Sequence, residues 1–146
     1  MDKFKLLREH FKSERESLMR ALDSAKQTRD DAPSAMESHH DTTRNQTEKL
    51  VVALEQDLAK LDKNIDLIPK DDPEPADKVS LWSYVELDFD GNQMKIIIVP
   101  EGMGGSDIDG IKLISDQTPL GGVLLNKPKE GKLNFNGKSV SILKVA

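Results

Sequence analysis

Carboxylates are concentrated in residues 29–41, around a predicted reversal of the chain. The acids of this segment are Asp30, Asp31, Glu37 and Asp41. Pro33 disfavours helix at the residue before it, so a first helix should end near Arg29 or Asp30. Ser34 and Glu37 form an S-x-x-E capping box that would begin a second helix. Two interpretations stay open: solvated acids of an ordinary helical turn, or a charged tip that the helices deliver to a partner.

Two histidines precede the last of these acids and raise the question of a zinc site. On a helix, side chains three or four residues apart face each other, so the usable pairs are Glu37 with His40 and Glu37 with Asp41. A zinc site needs more converging ligands, commonly including cysteine, and the chain has no cysteine. A dedicated zinc site at His39, His40 and Asp41 is therefore not predicted.

The composition is that of an elongated, surface-rich molecule with a modest core. The 146 residues are 36% hydrophobic, 4% aromatic and 32% charged, enough for one ordinary domain or two small ones. The net charge of -5 argues against a nucleic-acid binder that relies on neutralising phosphates. No basic stripe interleaved with aromatic residues is present, and Trp82 is the single tryptophan.

The missing cysteines exclude disulfides and thiolate metal sites and allow a reducing compartment. The start of the chain, Met1-Asp2-Lys3-Phe4, has no long apolar run. Neither a signal peptide nor a transmembrane helix is therefore expected, and a cytoplasmic protein is the simplest interpretation.

Apolar residues in alternating steps of three and four predict two long helices that pair as an antiparallel coiled coil. The predicted seam of the first helix is Phe4, Leu7, Phe11, Glu14, Leu18, Ala21, Ala25 and Thr28; that of the second is Leu50, Leu54, Leu58, Leu61, Ile65 and Ile68. Each helix would be roughly 40 Å long. A reversal about residue 33 would place Phe4 near Leu61, Phe11 near Leu54 or Glu55, and Ala25 near His40 or Asp41.

The seam becomes polar and small towards the reversal, at Ala21, Ala25 and Thr43. A slim distal half is what a probe entering a narrow space requires. Short antiparallel hairpins also commonly end in polar residues, and the pattern alone does not choose between the two interpretations.

Residues 69–78 are rich in proline and charge, which predicts a linker. It separates a coiled-coil domain, residues 1–68 with a tip near 30–41, from a second domain, residues 79–146. In the second domain the apolar period changes to two at Val85, Leu87 and Phe89, which predicts a strand with one solvated face.

Further strands are predicted at residues 94–99, 110–115, 133–135 and 139–145, with turns at Asp90-Gly91-Asn92 and Asn136-Gly137. Thr118 as N-cap and Pro119 at the first position predict a short helix, Pro119 to Leu125. The glycine-rich stretch 101–106 lacks the Gly-Lys-Ser/Thr ending of a phosphate-binding loop and reads as a plain connection. The predicted fold class is α+β: an antiparallel coiled-coil hairpin followed by a small, mainly antiparallel sheet with one short helix.

The segment Ile114–Lys127, ISDQTPLGGVLLNK, resembles the C-terminal domain of the bacterial Gre transcript-cleavage factors. In that family a strand ending in Ile-Ser leads into Ser-Pro-Leu-Gly and an Ala-Leu-Leu-Gly-Lys-like helix, and a closing β-hairpin follows. The resemblance covers about residues 79–146. The N-terminal half is similar to the family in architecture, as a long coiled coil with acids at its tip.

The resemblance implies an FKBP-like C-terminal domain and an accessory factor without activity of its own. Gre-like proteins bind the rim of the RNA polymerase secondary channel and insert the coiled coil towards the active centre. Tip carboxylates there help to hold a catalytic magnesium ion, shared with the polymerase, and a water molecule, so that the polymerase cleaves its own backtracked transcript. The rim contact would be made by Asp116, Gln117, Thr118, Pro119 and Leu120, with Thr118-Pro119-Leu120 in place of Ser-Pro-Leu.

The tip departs from the family pattern, since Asp31 is followed three residues later by Ser34 where the cleavage factors have Asp-x-x-Glu. Asp30 and Asp31 are nearest the predicted apex and are the first candidates to meet magnesium, followed by Glu37 and Asp41. A regulator that occupies the channel without stimulating cleavage is an equal alternative. A coiled-coil interaction protein unrelated to polymerase is the other. An intramolecular hairpin predicts a monomer, and an FKBP-like fold alone does not imply prolyl isomerase activity.

Overall fold

The computed structural model describes residues 2–31, 38–70 and 77–146, and the side chains of residues 38–44 lie outside this description. The chain divides into two compact units, Asp2–Lys70 and Asp71–Ala146. The first holds two helices, and the second holds a six-stranded sheet with one short helix. The predicted α+β class, with a helical hairpin followed by a small sheet, is confirmed.

Helices α1 (Lys3–Asp30) and α2 (Ser38–Leu67) form the first unit. The carboxylate of Asp2 caps α1 by accepting a hydrogen bond from the backbone N–H of Lys5 at 3.0 Å. The helix ends at Asp30, as the proline and capping pattern predicted. Pro33 and the proposed capping box of Ser34 and Glu37 lie outside the described residues.

The predicted seam is buried at Phe4, Leu7, Phe11, Ala25, Leu61 and Ile68, whereas at two positions the buried residue is the neighbour of the predicted one. Val51 is 2% exposed and Leu50 is 51% exposed, so the prediction of Leu50 was wrong. On α1 the buried residue is Leu22, and Ala21 is exposed. Each pair consists of adjacent apolar residues, so the sequence pattern fits either residue as the buried one. Only the contact with the other helix determines which of the two is buried.

Leu22, Ala25 and Val51 form the described apolar cluster between the helices, with Leu54 and Leu58 packed against it. The other predicted seam residues of α1, Glu14 and Leu18, are half-buried, and Thr28 is exposed.

Polar contacts show that the predicted pairing of the helices was also wrong. Arg15 Nε lies 2.6 Å from Asp62 Oδ1, and Arg8 Nη1 donates to the carbonyl oxygen of Pro69 at 3.0 Å. Nearer the distal end, Lys26 Nζ lies 3.9 Å from Glu55 Oε1. A reversal about residue 33 would instead have set Arg15 opposite Val51. The helices are therefore antiparallel but offset by about ten residues from the prediction, because a seam of repeated apolar steps fits several offsets almost equally well.

The second unit contains strands β1 (Tyr84–Phe89), β2 (Asn92–Val99), β3 (Asp107–Ile108), β4 (Ile111–Ser115), β5 (Lys132–Phe135) and β6 (Lys138–Val145), and helix α3 (Pro119–Leu124). Their order in the sheet is β3-β4-β2-β1-β6-β5. All pairs are antiparallel except β2 with β4, which is parallel. The predicted strands and helix are present within about two residues at each end. The two-residue β3 and the parallel pair were not predicted.

Both predicted tight turns have the backbone that their residues favour. Asp90 and Gly91 have φ of 52° and 87°, and Asn136 and Gly137 have φ of 50° and 79°. Two consecutive positive φ values are those of a type I′ turn, whose twist matches the flanking strands. These turns fix the β1–β2 and β5–β6 hairpins locally.

One face of the sheet packs against α3. Val85 and Leu87 of β1, together with Ile96 and Ile98 of β2, are fully buried in a cluster that includes Leu124 of α3. Ile97 and Val99 are buried as well, so this end of β2 is buried on both faces, as predicted. Within the described ranges, no helix is long and apolar enough to cross a membrane.

Candidate functional site

The Thr118 side chain closes the turn between β4 and α3. Its backbone is extended, with φ of -75° and ψ of 157°, and its Oγ1 accepts a hydrogen bond from the N–H of Gly121 at 3.1 Å. The same hydroxyl donates to the carbonyl oxygen of Ser115 at 2.7 Å. Pro119 occupies the first helical position, where its missing N–H costs nothing. The predicted helix start is confirmed.

Asp116 and Gln117 are held on the same turn. The N–H of Asp116 donates to Val99 at 2.9 Å, and the N–H of Gln117 donates to Ser115 Oγ at 3.1 Å. The side chain of Asp116 is half-buried, and Gln117 is exposed. The five residues predicted to contact a partner, Asp116–Leu120, therefore lie on one turn whose backbone is fixed by the sheet.

Gly121 is required by the close approach of α3 to the end of β4. A Cβ atom at this position would lie 2.1 Å from the carbonyl oxygen of Ser115. At the neighbouring Gly122, the nearest atom would be the carbonyl oxygen of Asp116 at 3.8 Å, an ordinary contact. The first glycine thus lets the helix begin directly on the strand, and the second has no such role.

A groove of about 770 Å³ runs beside this turn, and we call it the Thr118 groove. Its walls are the loop at residues 101–107, strand β4, residues 117–120 and Phe135. The loop is anchored to β4 because Gly105 N–H donates to Leu113 at 2.9 Å and Leu113 N–H donates to Ser106 at 2.8 Å. A Cβ atom at Gly104 would lie 2.9 Å from the backbone nitrogen of Ser115, so glycine permits this close packing.

The groove includes residues that sequence reasoning missed. The glycine-rich stretch was interpreted as a plain connection, but it forms one wall, with Glu101 and Asp107 among its lining residues. Phe135 comes from β5, far along the chain. Three glycines within four residues were the available signal for a close backbone approach; nothing local pointed to Phe135.

The chemistry of the groove suits recognition of a protein surface. Ile114, Pro119, Leu120 and Phe135 supply apolar contact, and the charged lining residues are Glu101, Asp107 and Lys112. Pro119 is exposed and Leu120 half-buried, so both present apolar surface to a partner while α3 stays folded.

The acidic segment is described only in part. Asp30 is the last residue of α1, and Asp31 is its C-cap, with its N–H donating to Gln27 at 2.9 Å. Both carboxylates are exposed, and Arg29 Nε lies 3.2 Å from Asp30 Oδ1. Glu37 and the side chains of His39, His40 and Asp41 lie outside the described residues, so the predicted clustering of the four acids remains a prediction.

Carboxylate oxygens are the ligands that magnesium prefers, so Asp30 and Asp31 fit the shared ion in their chemistry. The ion would have to displace or share the Arg29 contact of Asp30. In the part of the chain that the structure describes, no three metal-ligating side chains converge.

The phenol of Tyr84, on β1, has a raised pKa. Its hydroxyl donates to Glu86 Oε1 at 2.8 Å. Burial of the phenol, the hydrogen bond to Glu86 and the charge of that carboxylate together raise the pKa of Tyr84 to about 12. The group is protonated throughout the physiological range and acts as a fixed hydrogen-bond donor.

Comparison with solved structures returns homologues of a Gre factor. GreA factor homolog 1 (Gfh1) of Thermus thermophilus shares 15% identity at a TM-score of 0.42, covering 95% of this chain and 94% of that one. Gfh1 of Thermus aquaticus shares 16% identity at a TM-score of 0.41, covering 97% and 94% respectively. A further structure, titled as the transcription factor Gfh1, shares 16% identity at 0.41, covering 94% and 92%.

No family model matches the chain, and no curated protein matches it. The similarity to solved structures extends over nearly the full length of both chains, but at these identities and TM-scores it carries no conclusion about function.

Proposed function

We propose that this protein is an accessory regulator of transcription elongation that binds RNA polymerase at its secondary channel. The observation that carries the proposal is the turn at Thr118-Pro119-Leu120. The residues of the Gre-like motif lie together at the edge of an apolar groove, on a backbone fixed by β4 and α3. The turn would contact the rim of the channel, and the helical hairpin would enter it.

The hairpin supports the second half of the proposal. Its described apolar cluster consists of Leu22, Ala25 and Val51, which pack α1 against α2. Asp30 and Asp31 follow at the end of α1, exposed to solvent. Exposed carboxylates at the end of α1 are suited to bring oxygen ligands to a metal ion held mainly by another protein.

The test of the rim contact is binding to core RNA polymerase. Replacing Pro119 and Leu120 by alanine removes apolar surface from the groove edge, and we expect the Kd to rise by about tenfold or more. Val123→Ala is the matched control, since Val123 is exposed on the same helix and does not line the groove. An unchanged Kd in the double variant would remove the rim assignment.

The test of the tip is RNA cleavage in a stalled, backtracked elongation complex with magnesium. The intact protein is compared with the variant that carries Asp30→Ala and Asp31→Ala. Faster cleavage that is lost in the variant would identify a cleavage factor with altered acid spacing. Binding without faster cleavage, together with displacement of a genuine cleavage factor, would identify a regulator that occupies the channel. Absence of both effects would overturn the proposal.

A further inference from the structure

Charge in the sheet unit is segregated between its two edges. Residues 127–146 contain five lysines and one acid, Glu130, in a chain whose net charge is -5. They form the end of the sheet that contains β6 and the edge strand β5. At the opposite edge, around β3 and β4, Glu101, Asp107, Asp109 and Asp116 accompany a single lysine, Lys112. One edge of the sheet is therefore basic although the net charge of the chain is negative.

Backbone contacts bring five of the unit's lysines together, and we call this group the lysine edge: Lys78, Lys127, Lys129, Lys132 and Lys144. Lys78 forms a β-bridge with Pro128, between Lys127 and Lys129. The N–H of Glu130 donates to Ile142 at 2.9 Å, which sets the Lys129 end of this segment beside β6 near Lys144. Lys132 of β5 is the register partner of Ser141 of β6, the strand that also contains Lys144.

The lysine edge is open to solvent and little neutralised. All five residues are exposed. In the described part of the chain none of their ammonium groups forms an ion pair. Asp77 and Glu130 are the acids on the described parts of these segments. On the neighbouring β1, Glu86 is the register partner of Lys144 and accepts the hydroxyl of Tyr84. Asp88 lies across Ser141 from Lys132 and accepts the N–H of Gly91. The excess of positive charge is thus concentrated on one surface.

We propose that the lysine edge binds the phosphodiester backbone of a nucleic acid, without reading its sequence. Lysine ammonium groups are compact charges that bind phosphates without a fixed geometry. The chain has no arginine after residue 44, so the forked donors that favour paired recognition of carboxylates are missing from this unit. Neither an inserted helix nor exposed aromatic rings accompany the five lysines, so contacts with bases are not expected.

The inference stands apart from the proposed polymerase role, because none of the five lysines lines the Thr118 groove and binding is tested on the protein alone. Binding of a fluorescent 20-nucleotide oligouridine is followed by anisotropy, with a duplex DNA of equal length as a second probe. We expect a Kd of roughly 10 to 100 µM at low salt. If all five lysines contact phosphates, the slope of log K against log salt is about -3.5 on the single strand.

The decisive variant carries Lys127→Gln, Lys129→Gln and Lys132→Gln. We expect the salt slope to shrink by about 2 and the affinity at low salt to fall by tenfold or more. The matched control removes the same charge from the helical hairpin through Lys5→Gln, Lys60→Gln and Lys63→Gln, all exposed positions. The control should bind within about twofold of the unchanged protein.

Three results would overturn the inference. These are no binding to either probe at low salt, equal losses in both triple variants, and displacement by poly-glutamate as effective as displacement by nucleic acid. The last would assign the edge to an acidic protein surface instead. Binding to oligouridine or duplex that only the 127/129/132 variant loses supports the proposal, and the stronger probe identifies the form recognised. The single variant Lys129→Gln, expected to give a proportionate part of the loss, guards against an effect of the triple change on folding.

Discussion

At Gly121, the backbone of α3 closely approaches the end of β4. A Cβ atom would lie 2.1 Å from Ser115 oxygen at Gly121, but its nearest neighbour at Gly122 would be 3.8 Å away. Two adjacent glycines of one helix therefore have different physical roles. Both belong to the Gre-like motif, whose third and fourth residues after Thr118 they form.

We predict opposite effects of alanine at the two glycines. Gly121→Ala forces α3 away from Ser115 and should lower the free energy of unfolding by about 3 kcal/mol. Gly122→Ala fits the space and restricts the unfolded chain, so it should raise this free energy by roughly 0.5 kcal/mol. Urea denaturation of both variants checks the pair. Equal destabilisation would show that the distance to Ser115 is not what excludes a side chain.

The single tyrosine gives a spectroscopic test of the sheet. The pKa of Tyr84 is about 12 in the folded protein, against 10.0 for the free group. Absorbance of tyrosinate near 295 nm should therefore appear about two pH units later in the native protein than in urea. Glu86→Gln removes a carboxylate that favours the neutral phenol, so its native titration should move to lower pH.

The same shift makes stability depend on pH. Because the folded state holds the phenolic proton more tightly than the unfolded state, the stabilisation is complete below pH 10 and is lost as the pH rises to about 12. The loss attributable to Tyr84 is at most about 3 kcal/mol. Tyr84→Phe should show a weaker dependence over this window. An identical dependence in both proteins would contradict the assignment.

At the scale of elements, charged pairs between the two helices accompany the apolar contacts of the hairpin. Its apolar contacts include the cluster of Leu22, Ala25 and Val51, and the Arg15–Asp62 and Lys26–Glu55 pairs link α1 to α2. Repeated apolar steps alone would permit neighbouring offsets, whereas opposite charges favour one. This is the information that the seam pattern did not contain.

We predict a measurable coupling between Arg15 and Asp62. Their side chains are 42% and 45% exposed, so a double-mutant cycle with alanine should give about 0.5 kcal/mol, decreasing at high salt. Exchanging the charges, with Arg15→Asp and Asp62→Arg together, should recover part of the stability that each single reversal loses. Strictly additive effects would mean that the two residues do not contact each other in solution.

At the scale of the whole molecule, the chain divides between Lys70 and Asp71 into two compact units, each with its own elements. We predict that limited trypsin digestion cleaves first after Lys70, which is exposed at the end of the helical unit. Lys78 should resist longer because it is bridged to Pro128. Mass spectrometry should then find fragments 1–70 and 71–146, both resistant to further cleavage. Early cleavage inside α1 or the sheet would argue against two stable units.

The sequence by itself determined the features that depend on residues close together in the chain. Asp90-Gly91 and Asn136-Gly137 supply positive φ, and Thr118 with Pro119 starts a helix, whatever the rest of the fold does. The turn at Asp116–Leu120 was predictable for the same reason. Its role in binding remains part of the proposal.

Only the tertiary structure decided which distant segments meet. Val51 rather than Leu50 faces α1, β4 joins β2 in parallel, and Phe135 reaches the Thr118 groove from the far end of the sheet. The segregation of lysines to one edge was hidden for the same reason, since the net charge sums over the whole chain. Packing and charge between residues far apart in the sequence determine these arrangements. Many pairings of segments satisfy the local sequence pattern, but only one satisfies all the packing and charge contacts together.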